Sequence, residues 1–116
     1  MTDDHYAQLA FQMYTYRIKL SIGFYIAALG GVDVLIFTDE IGIQSWQVRE
    51  KTCRDMAPLG IDLDEKANRN AAADRICKLN NPDAAVQVLS MPTHEESVIA
   101  MEGSRLLKAA FNQSAG

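Results

Sequence analysis

From Asp3 or Asp4 to Leu29 the chain contains no proline, and Tyr6, Leu9, Ala10, Met13, Arg17 and Leu20 recur at steps of three and four residues. That spacing predicts one helix of roughly 25 residues, about 38 Å long at 1.5 Å per residue, stopped by Gly30-Gly31. Its second half changes character. Ile18, Ile22, Phe24, Tyr25, Ile26, Ala28 and Leu29 leave almost no polar face, so this end is expected to be covered on most sides. Tyr14 and Tyr16 read as helix-packing groups.

Val32-Asp33-Val34-Leu35-Ile36-Phe37-Thr38 is short, rich in β-branched residues and continuously apolar from Val34 to Phe37, as suits a parallel strand buried on both faces. A polar loop from Asp39 to Ser45 follows, with Ser45 placed to cap a helix through about Met56. Pro58 and Gly60 close that helix, Ile61-Asp62-Leu63 suggests a short strand, and Asp64 caps another turn of helix. Residues 64–84 form the connecting region with the weakest pattern, although Asn80-Asn81-Pro82-Asp83 is a clear turn signal. Val86 to Met91 reads as a second buried strand, and His94 to Leu107 as a helix with Glu95 and Glu96 in its first turn and Arg105 and Lys108 near its end. The two strand–loop–helix units predict a single α/β layer. Two all-apolar strands and a long apolar helix leave more surface to cover than such short elements supply, so self-association through Ile18, Ile22, Tyr25 and Ile26 is expected.

A chain of 116 residues is one small domain, and 48% hydrophobic residues exclude a predominantly disordered one. Fifteen acidic against eleven basic residues, with no basic run, speak against a nucleic-acid partner. The apolar run from Leu20 to Val32 is too short to cross about 30 Å of hydrocarbon, which speaks against a membrane span. Met1 to His5 carry two aspartates and neither Lys nor Arg, so no signal peptide is expected. Cys53 and Cys77 lack a companion Cys/His cluster, and a reducing, cytoplasmic setting fits them best.

Two places invite chemistry. The loop Asp39–Ser45 lies where α/β folds bind ligands, at the carboxyl end of a strand and before a helix whose free amides favour anions. Gly42 permits close backbone approach, while Asp39 and Glu40 oppose a polyphosphate unless a cation intervenes. Arg49, following this loop, is the best placed arginine for an anion. The second place is Thr93-His94-Glu95-Glu96, where one carboxylate suits a water-mediated Mg²⁺; the same carboxylates equally suit a helix N-terminus. Neither the serines nor Cys53 carry a local nucleophile signature.

These residues in order resemble the C-terminal portion of acetate kinases, from the superfamily that also holds sugar kinases, heat-shock chaperone ATPases and actin. The resemblance runs from about Leu9 to Leu107. It is carried by Leu9–Lys19, Ile22-Gly23, Ala27–Gly31, Val32–Thr38, Val48–Lys51, Leu59–Asp64, Pro92–Glu96 and Ile99-Ala100. It implies an α/β fold: a partial ribonuclease-H-like, actin-like ATPase lobe with a long N-terminal helix and a small mixed or parallel sheet, residues 1–116 forming one C-terminal-lobe fragment. The family's reaction is reversible transfer of the ATP γ-phosphoryl group to acetate with Mg²⁺, giving acetyl phosphate and ADP between two closing lobes, with dimers formed through the C-terminal lobe.

By this resemblance Glu40, Ile41, Gly42, Ile43 and Gln44 occupy the nucleotide loop, Val48 lies beside the adenosine region, and Glu95 matches the magnesium-associated glutamate. The family loop reads Gly-Ile-Gly-Glu-Asn, so Glu40, Ile43 and Gln44 depart from it; His94 replaces an asparagine. These changes predict weak ATP binding. The family's phosphate loop, acetate-binding and transition-state arginines, catalytic aspartate and histidines come from upstream of the matched region. The isolated chain is therefore expected to be catalytically incomplete. Its expected partners are a second copy of itself or an N-terminal kinase lobe, and its expected roles extend to a dimerisation or regulatory module and a complementing fragment of a split kinase.

Overall fold

The computed structural model describes residues 2–38, 45–92 and 106–109. Its longest element is helix α1, Thr2–Leu29, which ends where Gly30 and Gly31 take positive φ and both donate their amides to the Ile26 carbonyl at 2.9 Å. Glycine accepts that left-handed turn without a Cβ clash, so the helix stops where the sequence predicts. The inward face is Phe11, Tyr14, Thr15, Ile18, Ile22 and Ile26, with Ile18 and Ile22 in the core. Thr15 is satisfied within the helix, its hydroxyl donating to the Phe11 carbonyl at 3.0 Å.

This orientation corrects three expectations. The stripe of Tyr6, Leu9, Met13 and Leu20 faces outward. Tyr16 is exposed rather than packed, and Phe24, Tyr25 and Leu29 are exposed rather than covered. Ile18 and Ile22 are engaged internally and so cannot form the self-association surface expected of them. The cause is that α1 is apolar on two faces, and only one can meet the sheet.

Strand β1, Val34–Phe37, is buried at every position. It pairs in parallel with β3, Gln87–Ser90, on one side and with β4, Leu106–Ala109, on the other. A two-residue strand β2, Cys77–Lys78, adds antiparallel to β3, giving a four-stranded mixed sheet in the order β2-β3-β1-β4. Leu35, Phe37 and Val88 face α1 and the second helix, α2, Trp46–Cys53; Val34, Ile36 and Met91 form a smaller cluster. The predicted helix through Leu107 is overturned at its end, because Leu106 to Ala109 are extended against β1. Leu and Lys are good helix formers, but satisfying the open edge of a buried strand outweighs a propensity difference of a few tenths of a kcal/mol. The rest of that predicted helix lies outside the described residues.

Ser45 caps α2 as expected, its hydroxyl accepting the Val48 amide at 3.2 Å. The helix ends at Cys53 rather than Met56: Arg54 turns extended, Asp55 takes φ 65°, and Lys19 of α1 donates to the Arg54 carbonyl. A 3-10 turn, Ala57–Leu59, follows. The predicted strand at Ile61–Leu63 is a single bridge from Leu63 to Asn80. Asp64 then caps the short helix α3, Glu65–Arg69, by accepting the Lys66 and Ala67 amides. The Asn80–Asp83 turn is stitched down by side chains: Asn80 Oδ1 accepts the Val88 amide at 2.9 Å, and Asn81 Nδ2 donates to Asp62 Oδ2 at 2.9 Å.

Gly60 sits at φ 90°, and a Cβ there would lie 3.1 Å from Ala85 Cβ and 3.2 Å from Val86 Cγ2. Its carbonyl accepts the Val86 amide at 2.9 Å, fixing the entry to β3. Gly60→Ala therefore combines left-handed strain with overpacking and is expected to destabilise the fold by about 1–3 kcal/mol. A lowered urea midpoint at unchanged slope is the expected result.

Candidate functional site

The carboxyl end of β1 and the start of α2 frame the loop singled out in the sequence. Thr38 closes β1 and is buried; Ser45 opens α2. Residues Glu40, Ile41, Gly42, Ile43 and Gln44 lie outside the described residues, as do His94 and Glu95. What the structure describes is the frame on either side: the carboxyl end of a parallel strand and the start of a helix capped by Ser45. Val48, in the first turn of α2, is buried in the core and so does not line the open ligand surface expected of it.

Arg49 is 1% exposed, which separates it from the solvated arginine that would act as a surface anion receptor. Its Nε donates to Asn68 Oδ1 at 2.6 Å and its Nη2 to the Asn68 carbonyl at 2.9 Å. Asn68 is itself buried and returns a hydrogen bond from Nδ2 to the Trp46 carbonyl at 3.0 Å. Loss of solvation lowers the guanidinium to about 10, against the opposing pull of Cys77 and Cys53, which still leaves a cation at neutral pH. One side chain of α3 thus holds both a backbone carbonyl and a charged side chain of α2's first turn. Next to it, the Arg69 guanidinium lies 4.4 Å above the Trp46 ring. The first turn of α2, and with it the exit of the loop, is clamped from the α3 side.

Asn68 and the Arg69–Trp46 stack were not legible in the sequence reading. The capping Asp64 four residues before Asn68 is the one local sign that a helix would present this amide. Of the other arginines, Arg17 and Arg54 are exposed, and Arg105 lies outside the described residues. Cys53 is buried in the core; burial pushes its thiol up to about 12, only partly offset by Lys19 and Arg49.

Among the grooves elsewhere on the described residues, two differ in character. One of about 340 Å³ runs between α1 and α2 and is lined by Leu9, Gln12, Met13, Tyr16 and Lys51, among others. The other, about 260 Å³, is bordered by Glu50, Asp55, Asp62 and Glu65. Neither is lined by Thr38 or Ser45, so neither belongs to the loop frame. Among the described residues no group of three or more His, Cys, Asp or Glu side chains is arranged to hold a metal ion, and no helix is long and apolar enough to cross a membrane.

A family model described as the acetokinase family matches residues 1–101. The acetate kinase of Caldicellulosiruptor saccharolyticus is 46% identical over 102 residues, covering 88% of this chain and 26% of that protein. Among solved structures, Porphyromonas gingivalis acetate kinase superposes with a TM-score of 0.73 at 41% identity, over 78% of this chain and 23% of that one. Entamoeba histolytica acetate kinase gives 0.71 at 40% identity over 77% and 23%. The chain spans about a quarter of the length of the relatives it matches.

Asn68→Ala removes the Oδ1 acceptor from a buried cation and the donor from the Trp46 carbonyl. It is expected to cost about 3 kcal/mol in urea unfolding, whereas Arg69→Ala, losing a partly exposed ring contact, should cost about 0.5–1 kcal/mol. Cys53 is expected to resist a thiol reagent at pH 8 in the folded protein and to react at once in urea. Its raised pKa sets a sign: the contribution is complete below the value of 9.0 for a free thiol and is lost as pH rises toward about 12. Cys53→Ala should remove that part of the alkaline decline in stability.

Proposed function

The chain belongs to the acetokinase family, and from that membership we propose that it is the nucleotide-side portion of a phosphotransferase acting between ATP and a short-chain carboxylate such as acetate. The observation that carries this reading is the pairing of high coverage of this chain, 88%, with low coverage of the relative, 26%. The matched stretch is contiguous and spans about a quarter of the relative's length.

When ATP and Mg²⁺ are bound in such a kinase, the γ-phosphoryl group is the transferable group and the cation offsets its charge. In this chain Glu40, Ile41, Gly42, Ile43 and Gln44, with Val48 behind them, would face the nucleotide, and Glu95 would associate with the metal. The Asn68 clamp on Arg49 and Trp46 supports this by fixing the helix that receives the loop. Transfer also requires the acceptor to be held in line and the developing equatorial charge to be stabilised. By the same resemblance those duties fall to upstream arginines, histidines and an aspartate that these residues do not include. These 116 residues would therefore act together with the parts of an acetate kinase that carry those groups.

Calorimetric titration with ATP-Mg²⁺ is expected to give a dissociation constant weaker than about 1 mM, roughly −4.1 kcal/mol, because Glu40, Ile43 and Gln44 alter the loop's charge and hydrogen bonding. ATP-dependent acetyl phosphate formation is expected to be absent for the chain alone and to appear on adding the upstream three-quarters of an acetate kinase. Turnover by the chain alone that is lost on Glu95→Gln would overturn the proposal.

A further inference from the structure

One edge of the central strand is covered by residues that the family match does not include. β1 and β3 both fall within residues 1–101, the stretch that the acetokinase-family model matches. β4 begins at Leu106, beyond that stretch, yet it takes a whole edge of β1, with Val34 opposite Leu106 and Phe37 opposite Ala109. β1 is buried at every position, so its amides and carbonyls need a partner strand on each side. β3 supplies one side and β2 lies beyond β3, so among the described residues only β4 serves the other.

By its own composition β4 is a poor strand. β1 reads Val-Leu-Ile-Phe, whereas β4 reads Leu-Leu-Lys-Ala, with no β-branched or aromatic residue and with Lys108 and Ala109 of types depleted in strands. In isolation the same residues continue a helical pattern, so their extended form is imposed by the β1 edge. The pairing is also short and parallel, the slightly less stable arrangement per residue. A relative of which the matched stretch covers 26% has the same edge to satisfy and far more chain to satisfy it with. A strand of ordinary β composition presented there would outcompete Leu106–Ala109.

We propose that β4 is a surrogate strand: the chain alone covers the β1 edge with its own residues 106–109, and the complementary part of an acetate kinase displaces them by adding a strand of its own to β1. The incoming segment is extended and is recognised through main-chain hydrogen bonds to Val34–Phe37, in the manner of β-strand addition. Its identity rests on the phosphotransfer reading; the weak hold of β4 on β1 does not. Docking must first open β4, so residues 106–109 hold back association until a better strand arrives.

Hydrogen exchange followed by NMR tests the hold in the full chain alone. The paired amides of 106–109 should be protected, yet should exchange about tenfold or more faster than those of 34–37, through a local opening that low urea does not accelerate. Protection equal to that of β1 and lost only with global unfolding overturns the proposal. Register partners on neighbouring strands lie about 4.8 Å apart, within reach of a disulfide, so Val34→Cys with Leu106→Cys, in a chain also carrying Cys77→Ala, should cross-link on mild oxidation. The cross-linked chain should neither sediment with the upstream three-quarters of an acetate kinase nor form acetyl phosphate with it, and reduction should restore both. Leu107→Pro, which removes a backbone donor from β4, should lower the chain's own urea midpoint yet tighten that association several-fold; damage to a merely structural strand would weaken both. Should Leu107→Pro fail to fold, the reversible cross-link still decides. A cross-linked chain that associates and turns over as well as the reduced one overturns the strand exchange and leaves the phosphotransfer reading standing. Absence of association by the reduced chain overturns both.

Discussion

Four residues buried on both faces of one strand organise this molecule. Val34 to Phe37 of β1 are buried at each position and hydrogen-bonded to a parallel neighbour along both edges. A strand in that position cannot leave a backbone amide or carbonyl unpaired without a cost comparable to a lost hydrogen bond. Its two faces each demand apolar cover. Leu35 and Phe37 take theirs from Ile18 and Ile22 of α1 and from Val48 and Cys53 of α2, while Val34 and Ile36 lie with Met91 in the second cluster. The helix at the front, the pairing order and the position of the loop all follow from meeting these demands together.

The polar clamp beneath α2 answers a different constraint. A guanidinium with 1% exposure is costly unless its hydrogen bonds are met, and Asn68 meets two of them while also holding Trp46. Such an arrangement contributes little net stability compared with a well-packed apolar substitute, but it admits few alternative positions for the first turn of α2. For a loop that must present backbone to a ligand, restricting the helix that follows is of more use than extra stability.

Much of this was legible along the chain because it is encoded locally. The glycine pair at 30 and 31, the capping Ser45 and Asp64, the Asn80–Asp83 turn and the two β-branched runs each carry their signal within a few residues. What escaped depends on partners distant in sequence. Periodicity identifies α1 but not which of its two apolar faces turns inward: Tyr14 packs against the core as expected, whereas Tyr16 is exposed. Leu106 and Leu107 suit a helix in isolation and become a strand beside β1. Asn68 looks like an ordinary polar residue until Arg49, 19 positions away, is set against it. The loop frame at Ser45 was visible; the clamp that steadies it was not.

The pairing of β1 with β4 carries a consequence for biosynthesis. Val34 pairs with Leu106, so a strand made early waits for one made some 70 residues later. At a translation rate of about 5–20 residues per second that interval is several seconds or more, during which β1 has its β3-side neighbour at best and one edge open. Helix α1 can form during this time, since its hydrogen bonds are local, but the sheet cannot close until the distal strand clears the ribosome. Codon usage or a chaperone acting between the synthesis of residues 34 and 106 would therefore bear on the yield of folded chain far more than any event at α1.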